Sequence, residues 1–221
     1  MLWWLMTKEA FYNTHTKLTR SLKKFVEDYE GQLSREVFEA FLVNLSEELQ
    51  KASEVFRALS SGEPRARKLH ELVEKEIEQA SHIEVSCRKG CSACCHMEVE
   101  VTSYEADILA KLVQNGHVID EERLTQQSQR SIQDKSWSAG IKLPESRCVF
   151  LNQEGACSIY EDRPVMCRRH SVTSPAKNCE SLDAPITLRY FPKVDLLISA
   201  ANEDSQMEIG PLAKMLALRL K

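Results

Sequence analysis

None of the eight cysteines falls in the first 86 residues. That part of the chain has no thiol for a disulfide, a thiolate metal site or a cysteine nucleophile, and must hold together by apolar packing. Glycine and proline are scarce as well, seven of each in 221 residues. So little turn material argues against a many-stranded β fold and favours helices. There is no basic excess either. With 29 Lys and Arg against 33 Asp and Glu, the net charge is -4, which removes the cationic footprint of a nucleic-acid binder. No apolar run is long enough to span a membrane. The apolar opening Met1–Met6 is not preceded by basic residues and soon meets Lys8 and Glu9, so it reads as a flap packed on a neighbouring helix. A glycine-rich strand-to-helix turn of the dinucleotide type is absent too.

The remaining composition, 43% hydrophobic and 28% charged, suits a soluble globular chain with one large domain, or a small one with a helical extension. From Thr7 to Tyr29, Phe11, Leu18, Leu22, Phe25 and Tyr29 recur at helical spacing, which predicts one helix ended by Gly31. Arg35–Leu59 carries a longer stripe, Phe38, Phe41, Leu42, Leu45, Leu49, Ala52, Phe56 and Leu59, with Ser34 placed to cap it. After a turn at Ser60–Pro64, a third helix is expected through Leu69, Val73, Ile77, Ala80 and Ile83. His15, His70 and His82 lie on these helices and read as surface or core-edge residues rather than ligands.

Further along, Glu98–Val101 alternates as a short strand would. Thr102-Ser-Tyr-Glu105 has capping-box spacing and opens a helix that stops near Gly116. A weakly periodic helix is expected over 120–137, then a loop over Ala139–Pro144. Cys148–Tyr160 reads as a small hairpin turning at Asn152–Gly155. Asp162 is placed to cap a short helix begun by Arg163-Pro164 and carrying Cys167, Arg168, Arg169 and His170. The tail supplies one helix with Val194, Leu197, Ile198 and Ala201, and another, begun by Pro211, with Leu212, Met215, Leu216 and Leu220.

The chemistry is concentrated in Cys87-Arg-Lys-Gly-Cys91-Ser-Ala-Cys94-Cys95, with Cys148, Cys157, Cys167 and Cys179 following. In a chain without an export signal the expected compartment is the reducing cytoplasm, where thiols serve as ligands; in an exported chain the even count would form bridges. Ligands close in sequence lose less chain entropy when a site closes, and Gly90 relieves backbone crowding in such a loop. The x3 and x2 spacing of Cys87, Cys91 and Cys94 suits an iron-sulfur cluster, [4Fe-4S] being the favoured form. Zinc in a tetrahedral thiolate site is the alternative. Neighbours in sequence seldom point the same way, so Cys94 and Cys95 are expected to serve different metals or faces. His96 and His170 are reserve ligands. Arg88, Lys89, Arg163, Arg168 and Arg169 bring positive charge that would stabilise an anionic thiolate cluster. Arg163 itself is expected to form a buried salt bridge with Asp162 or Glu161. Radical enzymes that cleave S-adenosylmethionine use the same x3, x2 spacing, but after the first strand of a βα barrel; here three helices precede it and no βαβ alternation follows.

Cys91-Ser-Ala-Cys94-Cys95, Val101-Thr102 with Glu105-Ala106, and Gly155-x-Cys157-x-Ile159-Tyr160-x-x-Arg163-Pro164-x-x-Cys167-Arg168 together resemble the YkgJ-type cysteine-cluster family of zinc- or iron-chelating domains. The likeness covers about residues 87 to 170. It implies chelation by Cys91, Cys94, Cys95, Cys157 and Cys167, joined by Cys87, Cys148 and Cys179. The flagellin lysine N-methylases are similar in their cysteine motif, which implies, as an alternative, a cluster-dependent protein methyltransferase using S-adenosylmethionine. His170 stands where an aromatic residue commonly follows the Cys-Arg pair.

The expected fold is mainly α: a helical bundle with a cysteine-rich metal-binding region containing a short β-hairpin. It divides into residues 1–84, a three-helix region; 85–190, the cysteine-cluster domain; and 191–221, a helical tail packing on the rest. The expected function is cytoplasmic metal binding by all eight cysteines. A metal-stapled module that binds a protein partner through its helices is the other alternative. Neither nucleic acid nor a transmembrane segment is expected.

Overall fold

The computed structural model describes residues 6–88, 90–131, 143–181 and 183–221. They are mainly helical and form two compact units, one from Met1–Glu76 with Phe191–Gln206 and one from Ile77–Tyr190 with Met207–Lys221.

In the first unit α1 (Lys8–Thr14), α2 (Arg20–Glu30) and α3 (Arg35–Arg57) are followed by α4 (Glu63–Gln79), and α8 (Pro192–Ala201) returns to lie against α2 and α3. The stripes read from the sequence are the buried faces: Leu42, Leu49 and Phe56 of α3, Leu69 and Val73 of α4, and Val194, Leu197 and Ile198 of α8 are all in the core. Tyr29 and Phe41 stack with centroids 5.1 Å apart. Ser34 caps α3 as expected, its side chain accepting from the Val37 amide.

The single helix expected over Thr7–Tyr29 is two. Thr19 adopts extended backbone and its side chain accepts from the Leu22 amide, so a fresh helix begins there. His15 closes α1 and turns inward, with Nε2 2.8 Å from Ser46 Oγ and Nδ1 3.0 Å from Glu203 Oε1. It is a core residue, as is His70, while His82 is at the surface. Apolar spacing runs unbroken across the joint, so periodicity alone passes over it.

The second unit is built on α5 (Ser103–Gln114), α6 (Glu121–Ser128) and α9 (Leu212–Ala217), which share a core of Val101, Leu109, Leu124, Phe150, Ile159 and Leu216. The expected strand is β1 (Glu100–Thr102). Its partner is β2 (Ile209–Pro211), antiparallel with Val101 opposite Gly210, a pairing across more than a hundred residues that no local pattern announces. A Cβ on Gly210 would lie 2.9 Å from Met215 Sδ, so the strand's approach to α9 leaves little room there for a side chain.

α5 starts with the full Thr102–Glu105 capping box. It ends in a Schellman arrangement: the Gly116 amide donates to Val113 O at 2.9 Å and the His117 amide to Leu112 O at 3.0 Å, with Gly116 at φ +95°. An added Cβ there meets nothing within 4 Å, so Gly116→Ala carries only the conformational penalty of the left-handed region. Urea denaturation should show a loss of about 1 kcal/mol. The helix expected over 120–137 is realised as α6, capped by Asp120; residues 132–142, including most of the Ala139–Pro144 loop, lie outside the described residues. The hairpin expected over 148–160 is a tight antiparallel turn with one bridge, Leu151 to Cys157, turning through Gly155 at φ +76°.

Candidate metal centre

Three segments of the second unit carry the thiols. The first is the loop from Cys87 to Cys95. The Ser86 amide donates to Val172 O at 2.9 Å, and Gly90 takes φ +87°, which lets the Cys91 amide turn back to Arg88 O. Cys94 and Cys95 sit on a 3-10 turn, Ala93–His96. The second segment is the turn bearing Cys148 and Cys157, tied to the first where the Cys148 amide donates to Cys95 O at 2.7 Å. The third begins at α7 (Val165–Arg169), which carries Cys167, and continues to a 3-10 turn, Ala176–Glu180, that carries Cys179 and packs on the turn bearing Cys94.

All eight cysteines are free and half-buried. Cys94 is the common neighbour. Its charge bears on Cys148, Cys157 and Cys167, and also on Cys87 and Cys179. Cys95 feels Cys148 and Cys167 as well, while Cys87 and Cys179 both feel Cys91. The thiols thus divide into an inner set, Cys94, Cys95, Cys148, Cys157 and Cys167, and an outer set, Cys87, Cys91 and Cys179. On the tight turn the Cys94 and Cys95 thiols bear on each other's protonation. The neighbouring Cys95 thiol lowers Cys94 to about 7, with a smaller contribution from the positive charge of Arg163, while Cys95 is driven up. Burial pushes Cys148 up to about 11 and also raises Cys167, Cys157, Cys87 and Cys179. The Val172 amide, 3.4 Å from Cys87 Sγ, opposes that rise at Cys87.

The polar surroundings differ from expectation at two points. Asp162 does not cap α7, whose N-terminus makes no side-chain capping bond of its own. The Val165 amide donates instead to Glu105 Oε1 at 2.7 Å, from sixty residues away in sequence. Glu105 is buried, and its other oxygen completes the α5 capping box. Nor does Arg163 form the expected salt bridge. Its guanidinium lies over the Tyr160 ring, 3.9 Å from the centroid, and its buried Nε has no hydrogen-bond partner among the described residues. His96 Nδ1 lies 3.0 Å from Ser92 O, and burial lowers the His170 pKa. Arg189, which no pattern singled out, reaches Ser171 Oγ and the carbonyls of Ala80 and Ile83, and its charge bears on Cys87.

The donor chemistry fits a soft or borderline metal: free thiols from three segments, one of them with a lowered pKa, and a cation whose charge bears on two of them. Among the described residues, no three or more Cys, His, Asp or Glu side chains are already closed into a metal-holding set. No helix among the described residues is long and apolar enough to cross a membrane.

Residues 86–186 match the family model CxxCxxCC, described as a putative zinc- or iron-chelating domain, in agreement with the YkgJ-type resemblance. The chain has three residues rather than two between its first pair of cysteines. No curated protein and no solved structure matches the chain.

Proposed function

We propose that this chain, whose residues 86–186 match a zinc- or iron-chelating family model, holds an iron-sulfur cluster in the reducing cytoplasm, with zinc as the competing occupant. The observation that carries the reading is the neighbourhood of Cys94, where thiols from all three segments influence one another and none is spent in a disulfide. Cys94, Cys95, Cys148, Cys157 and Cys167 are the foremost ligands, with Cys87, Cys91 and Cys179 beside them. Two features favour iron-sulfur over zinc: the x3, x2 spacing of the loop, and a cation next to the inner thiols, which suits a cluster of net negative charge. When bound, such a cluster supplies electron transfer or a Lewis-acidic iron. The chain's own residues supply the thiolates, the Arg163 charge and partial shielding from water.

Anaerobic purification followed by metal and acid-labile sulfide analysis tests the proposal. Iron and sulfide in comparable amounts, with broad visible absorption, are the expected result. A colourless protein with stoichiometric zinc selects the other metal, and a fully folded protein that takes up neither on reconstitution overturns the reading.

A further inference from the structure

Arg163 is positioned in a way that packing alone does not require. A buried N–H without an acceptor costs free energy, and native structures rarely keep one. The Arg163 Nε is such a group. The side chain is nonetheless held in place at both ends. Its backbone carbonyl accepts from Arg168 Nε at 2.8 Å, and its guanidinium rests on the Tyr160 ring. Cys157 lies three residues before Tyr160, and the charge of Arg163 bears on both Cys157 and Cys94, thiols from two different segments. Among the described residues no carboxylate competes for it, although Glu161 and Asp162 are its neighbours in sequence.

We propose that Arg163, stacked on Tyr160 with its Nε buried and unspent, is the charge-balancing residue of the centre, donating that N–H to a sulfur of Cys94 or Cys157 once a metal has replaced the thiol proton. This rests on the metal-binding reading above and adds a role outside the ligand set. A thiol is a weak acceptor and a metal-bound thiolate keeps excess negative charge, so the bond becomes favourable on loading. The guanidinium suits the task because it stays charged at every accessible pH and its planar face stacks on the tyrosine while its N–H groups point in-plane.

The test uses the full chain under anaerobic conditions, titrated with cobalt(II) and then competed with zinc(II) and a chelator. Arg163→Gln should lower cobalt affinity by about 10- to 100-fold, the usual cost of losing a hydrogen bond to a ligand atom. It should also raise the pH at which cobalt is released, and Arg163→Lys, which restores the charge without the fork, should recover part of both losses. A folded R163Q variant that matches the wild type in affinity and release pH removes the arginine's role while leaving the metal centre standing. A wild type that takes up no cobalt, zinc or iron and sulfide removes both. Should R163Q fail to fold, nitrogen-15 spectra of the wild type with and without zinc decide: a downfield, exchange-protected Arg163 Nε–H on loading supports the proposal, and an unchanged signal overturns it.

Discussion

Glu105→Ala is expected to destabilise the protein by about 3–5 kcal/mol, as much as truncating a large buried core side chain. The carboxylate is 1% exposed and bound on both sides. Oε2 accepts from the Thr102 amide at 2.9 Å and from Thr102 Oγ1 at 3.0 Å, and Oε1 accepts from the Val165 amide at 2.7 Å. Removing it leaves three buried donors without an acceptor, each worth about 1–3 kcal/mol. Thr102→Ala separates the contributions, because it breaks the cap on α5 but leaves the Val165 contact, and should lose only about 1 kcal/mol. Glu105→Gln keeps one acceptor but turns an amide N–H toward another donor, so it should fall between the two. Denaturant unfolding of the three variants gives the comparison. Equal losses for E105A and T102A would mean that the bond to Val165, which anchors the helix carrying Cys167, contributes nothing.

Glu105 also marks where sequence reading stops. Its capping box was legible because the partners lie three residues apart and the geometry of a helix start fixes what they can do. Its second bond joins residues sixty apart, and nothing in the local pattern around Val165 calls for an acceptor at that point. The same division holds elsewhere. The faces of α3 and α8 follow from spacing, since a stripe of large apolar residues has one way to leave water. The joint at His15–Thr19 does not, because the apolar register survives it and the signal is one threonine acting as a cap. The pairing of β1 with β2 joins residues more than a hundred apart, which no local pattern specifies. At the thiols, residue type and spacing point to the cysteine-bearing stretch, and the family match over residues 86–186 spans all eight cysteines. That Cys94 and Cys95 bear on each other's protonation is not readable from their adjacency; it comes with the 3-10 turn that carries both.

Metal loading should invert the pH dependence of stability. A thiol whose folded pKa is raised favours the protonated form in the fold, so its contribution is complete below the unfolded thiol pKa and is lost as pH rises through the folded value. For Cys148 that window extends up to about 11, and Cys167, also raised by burial, acts in the same direction. The metal-free protein should therefore weaken in alkali. Metal binding requires the same thiols as thiolates and expels their protons, so affinity climbs with pH by about tenfold per unit for each proton displaced. A site taking three protonated thiols would change about a thousandfold per unit, and bound metal stabilises the fold in proportion to the logarithm of that affinity. Melting curves of metal-free and zinc-loaded protein should consequently diverge: the loaded form gains from mild acid upward, while the free form gains nothing from these raised thiols below the ordinary thiol range and loses their contribution above it, toward about pH 11. Cys148→Ala and Cys167→Ala remove two inner ligands whose protons burial holds in place, and each should lose most of the zinc-dependent gain while keeping the stability of the metal-free fold at neutral pH to within about 1–2 kcal/mol. A loaded protein whose melting temperature ignores pH, or a C167A variant that zinc stabilises as fully as it does the wild type, would show that the buried thiols stay protonated and that the metal binds elsewhere.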